Sequence, residues 1–262
     1  MSTSPTEKLL LDICEHTAVI TINNPPANTW DAESLSGLHQ IVSELNANRN
    51  IYALVITGSG DKFFSAGADL KMFASGDKAV AQDIGLKFGQ AFEALADFRG
   101  VSIAAVNGFA MGGGLECAMA CDIRIVERQA KLALPEAKVG LLPCAGGTQR
   151  LTALVGPGWA KRMILCGERI DAETAQRIGL AEELVDTGEA KSAAMNLAAS
   201  VAAQSPVAVS FCKELIHEAR DAVMPKGLIL ERERFIQLFD TADQKEGVNA
   251  FLEKRQPEWK NA

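Results

Sequence analysis

The sequence predicts an α/β fold, and two observations carry that prediction. Short apolar strand-like runs alternate with amphipathic helical stretches, and the order strand, helix, strand recurs, which calls for parallel pairing across right-handed crossovers. A third observation divides the chain. Past Ser205 and Pro206 the composition turns charged and helical. Residues 1–204 are therefore expected to form the α/β core, and residues 205–262 a helical segment that packs on that core or on a neighbouring subunit.

The elements follow in order. "LLLDICEHTAVITINNPP" holds two strand-like runs, residues 9–14 and 18–22, around a turn at 15–17 and ended by Pro25 and Pro26. Residues 32–46 carry Leu35, Leu38, Ile41, Val42 and Leu45 at helical spacing, with Asp31 in the N-cap position. "IYALVITGSG" reads as a buried strand closed by a glycine turn. The pattern then returns as a helix over 79–98, the strand "VSIAAVN", a glycine-led helix running to Cys121 and the strand "IRIVE". No sequence repeat is evident, yet the strands and helices repeat structurally. In the final segment Phe211, Leu215, Ala219 and Val223 share one helical face, and "LILERERFIQLF" and "KEGVNAFLEKR" continue in the same manner.

Composition sets bounds on function. With 262 residues, 48% of them hydrophobic and 23% charged, the chain is neither disordered in character nor of a membrane class. The net charge of −7 argues against a nucleic-acid surface and against polybasic attachment to acidic lipid. Six cysteines without a CxxC pair read as reduced thiols. Cys117 and Cys121 share a helix face, but with no second ligand pair they read as small buried hydrophobes rather than half a metal site. "MSTSPTEKLLLDICE" has the pattern of neither a secretory signal nor a transit peptide, so the expected location is cytoplasmic. The most apolar window is broken by Asn107 and Glu116 and is expected to be core, not a membrane span.

Three segments share one chemical logic: "FFSAGADL", "GFAMGGGLE" and "PCAGGTQ" each set small residues where a ligand could approach the main chain. Helix starts leave backbone N–H groups free, and two such groups converging from different loops would stabilise an oxyanion. Neither GxxxxGK[ST] nor GxGxxG nor GxSxG is present, and His16, His39 and His217 lie outside the glycine motifs. Carboxylates remain as the acid and base candidates. Glu116 follows the triple glycine and Glu136 follows Pro135. Taken singly, each could equally be a partner of a helix dipole or a solvated group.

"FFSAGADLK", "AAVNGFAMGGGLECAMACDIRI", "LPEAKVGLLPCAGGTQRL" and "EGVNAFLEKR", in this order, closely resemble the enoyl-CoA hydratase/isomerase (crotonase) family over nearly the whole chain. The resemblance implies a spiral of repeated ββα units with a C-terminal helical oligomerisation segment. It also implies an acyl-CoA thioester whose carbonyl oxygen lies between the N–H groups of Ala68 and Gly113. Members that hydrate carry two glutamates, and here both positions are filled. Glu116 would activate and orient water for attack at C3, and Glu136 would deliver the proton to C2. No metal and no separate cofactor are implied, because coenzyme A is part of the substrate.

For the coenzyme, the resemblance points to Ala68, Asp69, Leu70 and Lys71. "NPPANT" has Pro26 where many hydratases carry lysine, which leaves the neighbourhood of Ala27 and Asn28 for that contact. Phe235, Phe251 and Lys254 match positions that complete a neighbouring subunit's coenzyme site in family hexamers, so a homotrimer or dimer of trimers is implied. Their other reading is helix packing plus a solvated lysine. Cys144 stands where many hydratases have glycine, beside the expected water, and Arg150 in "GTQRL" reads as structural. Hydration of a trans-2-enoyl-CoA in acyl-CoA breakdown is the leading reading. An isomerase or branched-chain hydratase of the same fold, and more distantly a crotonase-fold RNA-binding protein, are the alternatives, the last opposed by the net charge of −7.

Overall fold

The computed structural model describes residues 4–74, 77–221 and 240–262. Strands β1 (Leu9–Cys14) and β2 (Thr17–Ile22) pair antiparallel, with Leu9 opposite Ile22. Helix α1 (Ala32–Ala47) follows, and the expected N-cap is present: Asp31 accepts from the Ser34 N–H while the Ser34 hydroxyl accepts from the Asp31 N–H. Its periodic residues Leu35, Leu38, Ile41, Val42 and Leu45 are all buried, each contributing roughly 1.5–3 kcal/mol.

Three ββα units come next. The first holds β3 (Ala53–Gly58), β4 (Phe63–Ser65) and α2 (Lys78–Ala96); the second β5 (Val101–Val106), β6 (Phe109–Met111) and α3 (Gly113–Ala120); the third β7 (Ile123–Glu127), β8 (Lys131–Ala133) and α4 (Gly147–Leu165). Elements β9 (Ile170–Asp171), α5 (Ala172–Arg177), β10 (Glu183–Val185), α6 (Ala190–Ala202), α7 (Pro206–Asp221) and α8 (Ala242–Glu253) complete the described chain. In each unit the first strand joins a six-stranded sheet, β1-β2-β3-β5-β7-β10, and the second a four-stranded one, β4-β6-β8-β9. All pairings are parallel except β1 with β2 and β8 with β9. The expected spiral of ββα units is thus the observed architecture.

Each turn between paired strands must bring two backbones close together. Asn107 ties one turn to the preceding one: its Oδ1 accepts from the Gly58 N–H at 3.0 Å, and its Nδ2 donates to the Gly58 and Gly60 carbonyls at 2.9 and 2.8 Å. A Cβ on the adjacent Gly108 would lie 2.3 Å from the Lys62 carbonyl oxygen, so no side chain fits there.

Strand β3 is buried along its whole length because the central sheet is covered on both faces. One face packs on α1, α2 and the second sheet; the other packs on α6, whose Ala190, Ala194 and Ala198 lie one helical turn apart and let the helix approach closely. Helix α2 stops short of its periodic pattern. Just beyond its end the Arg99 N–H donates to Asn46 Oδ1 at 2.8 Å, and the Arg99 guanidinium holds the Asn48 and Ile51 carbonyls at 3.0 and 3.1 Å.

The helix expected from Pro206 is α7, docked through Lys213. The Lys213 ammonium donates to Asp122 Oδ2 at 2.7 Å and to the Phe98 and Gly100 carbonyls at 2.7 and 3.0 Å. Val223, Phe235 and the helix expected over "LILERERFIQLF" lie outside the described residues. Among the described residues no single helix is long and apolar enough to cross a membrane.

Candidate active site

The "SAGA" loop and the triple glycine meet at one point, and close packing explains why both are small. Leaving β4, the Gly67 N–H donates to the Ser65 hydroxyl at 3.2 Å, and Gly67 adopts φ +92°. A Cβ on Gly67 would lie 2.6 Å from the Met111 carbonyl oxygen and 3.1 Å from the Gly113 nitrogen; one on Gly114 would lie 2.2 Å from the Ser65 carbonyl oxygen. Only glycines allow this approach of the two main chains.

Two residues there, Ala68 and Gly113, bring backbone N–H groups to the cavity wall. Trp30 forms an isolated parallel bridge with Ala68, in which the Trp30 N–H donates to the Gly67 carbonyl and the Asp69 N–H donates to the Trp30 carbonyl, both at 2.8 Å. Those flanking bonds turn the N–H of Ala68 itself away from Trp30. Gly112, at φ +53°, caps α3 and donates its N–H to the Ala133 carbonyl, leaving Gly113 as the first helical residue with an N–H that has no intrahelical acceptor. Ala68 and Gly113 both line a cavity of about 750 Å³, together with Glu116, Glu136 and Cys144.

The two glutamates occupy different environments. Glu116 is buried in the first turn of α3, and its Oε1 accepts from the N–H groups of Ala145 and Gly147, each at 2.8 Å. Burial pushes its carboxyl above the usual range, an effect opposed by those two donors and by Arg150. Glu136 opens a 3-10 turn, Glu136–Val139, and both its oxygens are buried with no hydrogen-bond partner among the described residues. Its carboxyl is pushed up to about 7, first by burial, with the Glu116 charge adding to it. Cys144 is pushed up to about 11 by burial and by the two glutamates, which keeps its sulfur a neutral thiol.

The remaining wall is apolar: Phe73, Ala81, Gly85, Phe88, Met111, Val139, Leu141 and Leu142 line it, with Lys138 and Arg169 as its cations. Among the described residues no group of three or more His, Cys, Asp or Glu side chains is placed to hold a metal. Cys117 and Cys121 are buried free thiols in the core.

The other sequence candidates divide. Leu70 lines the cavity. Asp69 caps the short turn Leu70–Phe73 by accepting from the Lys71 N–H at 3.1 Å, and the Lys71 side chain is exposed. The Ala27 carbonyl accepts from the Ala66 N–H at 2.9 Å, which ties the first loop to "SAGA". The Asn28 side chain is buried and donates inward to the Ser59 and Phe63 carbonyls at 2.9 and 2.8 Å, so its amide pins the β3–β4 turn and any contact with the coenzyme there falls to the main chain. Phe251 lies on α8, its side chain outside the described residues; Lys254 lies just past the end of α8, exposed at φ +57° and not part of the cavity lining. Phe235 is outside the described residues. Arg150 is structural, donating to the Ala145 carbonyl at 2.8 Å.

Sequence reasoning missed Ala145 and Gly147 as the donors that hold Glu116, and Phe88 and Met111 as wall residues. The small residues of "CAGG" were the available signal for the first pair, since a Cβ on Gly147 would lie 2.8 Å from Glu116 Oε1. The apolar wall gives no such signal.

A family model described as enoyl-CoA hydratase/isomerase matches residues 12–262. The short-chain-enoyl-CoA hydratase of Clostridium acetobutylicum is 38% identical over 92% of this chain and 93% of its own length. Among solved structures, DspI of Pseudomonas aeruginosa superposes with a TM-score of 0.95 at 67% identity, covering 97% of both chains. An enoyl-CoA hydratase from Bacillus anthracis superposes with a TM-score of 0.94 at 34% identity, covering 98% of this chain and 100% of its own.

Proposed function

The chain belongs to the enoyl-CoA hydratase/isomerase family, and from that membership we propose that this enzyme adds water across the 2,3-double bond of a trans-2-enoyl-CoA to give a 3-hydroxyacyl-CoA. One observation carries the reading: a single cavity holds one carboxylate fixed by two backbone donors and one carboxyl without a partner among the described residues, beside the backbone of Ala68 and Gly113.

In this proposal the thioester oxygen lies between the Ala68 and Gly113 N–H groups. Attack at C3 moves charge onto that oxygen as an enolate, and a lost donor of this kind typically costs roughly 2.7–4 kcal/mol of barrier. Glu116, its Oε1 anchored, orients the water and takes its proton as the oxygen bonds to C3. Glu136, with a carboxyl near 7, gives a proton to C2. Transfer of the proton from Glu116 back to Glu136 closes the cycle, and the pair titrates as a unit. The apolar wall suits a hydrocarbon acyl chain, and Lys138 and Arg169 are the cations nearest to hand for an anionic part of the ligand.

The proposal extends to setting and assembly. We read the helical segment from residue 205 as the surface through which a trimer or dimer of trimers forms, and the six free cysteines as suited to a reducing, cytoplasmic location.

The test is loss of the conjugated-enoyl absorbance of crotonyl-CoA by wild type, Glu116→Gln and Glu136→Gln. Rapid loss with wild type and a drop of about 10²–10⁴ in each variant is expected. An inert wild type that still binds coenzyme A would remove the hydratase reading.

A further inference from the structure

We propose that Trp30 is a positioning residue that fixes the two halves of the oxyanion hole relative to one another; this rests on the hydratase reading above. The two donors come from separate loops, and Trp30 touches both. Through its main chain it brackets Ala68: its N–H donates to the Gly67 carbonyl and its carbonyl accepts from the Asp69 N–H, each at 2.8 Å. Through its indole it lies under Gly113, its Cδ1 being 3.6 Å from where a Cβ on that residue would sit.

The indole is itself held from below. Trp30 is fully buried and meets Phe92 edge-on at 5.5 Å, and Phe92 meets Phe88 in the same way at 5.7 Å. Phe88 returns to the hole, its Cε1 being 2.9 Å from the same Cβ position on Gly113. An aromatic floor of Trp30, Phe92 and Phe88 therefore supports the first residue of α3 while the Trp30 backbone clamps the Ala68 loop. A shift in the floor moves one donor against the other.

The indole N–H points to the same role. Fully buried, it has no hydrogen-bond partner among the described residues, an arrangement that costs free energy rather than supplying it. What the indole contributes here is volume and shape. Trp30 does not line the cavity, so it acts through Ala68 and Gly113 and not on the reacting atoms.

Trp30→Phe keeps an aromatic ring against Phe92, removes no hydrogen bond and shortens the contact with Gly113; Trp30→Leu removes more of the floor. The measurements are kcat and KM for crotonyl-CoA, and the absorption maximum of cinnamoyl-CoA bound at saturation, whose red shift reports polarisation of the thioester carbonyl. The expected result is a kcat lowered about 10–100-fold in Trp30→Leu and less in Trp30→Phe, with KM within about threefold of wild type and a reduced red shift in both. Variants that lose thermal stability but keep the wild-type kcat and red shift would show Trp30 to be ordinary core and overturn the inference. Absence of a red shift in wild type would overturn the oxyanion reading itself, and this inference with it.

Discussion

Glu116 and Glu136 face one cavity in opposite hydrogen-bonding states: Glu116 Oε1 takes two backbone donors at 2.8 Å, whereas neither oxygen of Glu136 has a partner among the described residues. Both carboxyls are raised by burial, opposed at Glu116 by the Ala145 and Gly147 donors and reinforced at Glu136 by the Glu116 charge. Two acids of the same type are thereby placed in different environments, one anchored and one readily protonated, as the proposed hydration calls for. Gly112 leaves room beside Glu136, since a Cβ there would lie 3.2 Å from Glu136 Oε1.

The first prediction concerns pH. Glu136 has an ordinary value of 4.5 and is pushed up to about 7 in the folded chain, so between those values the folded state holds more proton than the unfolded one. Stability is then expected to fall as pH rises from 4.5 towards 7 and to level off above it. Glu136→Gln carries no charge to bury, so its melting temperature should exceed that of wild type at pH 8 and approach it near pH 4.5. Calorimetry of both proteins across this range checks the sign. In the same window kcat/KM for hydration should decline above about pH 7 as the proton destined for C2 is lost.

A second prediction follows from the support of Glu116. In Gly147→Ala the backbone donor survives, but the new Cβ would lie 2.8 Å from both Glu116 Oε1 and Pro143 Cβ. Either the loop or the carboxylate must move. Misplacement of a catalytic group by about 1 Å costs on the order of 100-fold in rate. The expected outcome is a kcat lowered by that order with little change in binding of the product thioester, which steady-state kinetics and calorimetric titration separate.

Glycine and proline punctuation is a local signal and drew attention to the "SAGA" loop, the triple glycine, Glu116 and Glu136, while Ala68 and Gly113 came from the resemblance to the family. Strands β3, β5 and β7 were legible because apolar runs broken by glycine or proline need no distant partner to be read, whereas β4 and β6, three residues each, are too short to show a pattern. Helix α4 was not, because Gly156 at φ +75° and Pro157 interrupt its periodicity. Asn28 shows the limit from the other side. Its place beside "NPP" made it a coenzyme candidate, but its destination is set by two carbonyls more than thirty residues away. Trp30 and Lys213 belong to the same class, since each acts through residues distant in sequence.

Lys213 carries the last prediction. Its ammonium is nearly buried and bonds Asp122 Oδ2 at 2.7 Å as well as two carbonyls, while the Ser102 N–H and hydroxyl donate to the same Asp122 oxygen at 2.8 and 3.0 Å. Burial alone would raise the Asp122 carboxyl, but His217, Lys213 and Ser102 together hold it below the ordinary value of 3.8. Lys213→Met keeps the aliphatic stem and removes the charge, leaving a buried carboxylate with fewer partners. Breaking such a pair costs roughly 3–5 kcal/mol. Because the folded value is depressed, the stabilisation is complete above 3.8 and is lost as pH falls through the folded value. The deficit of Lys213→Met relative to wild type should therefore be largest near neutrality and shrink below pH 3.8. Glu116 and Glu136 are not contacted by this cluster, so kcat per folded molecule should stay near wild type. Urea melts at pH 7 and pH 3, read beside crotonyl-CoA turnover, decide both points: a deficit that does not shrink in acid would mean that Lys213 docks α7 through its stem and the two carbonyls rather than through Asp122.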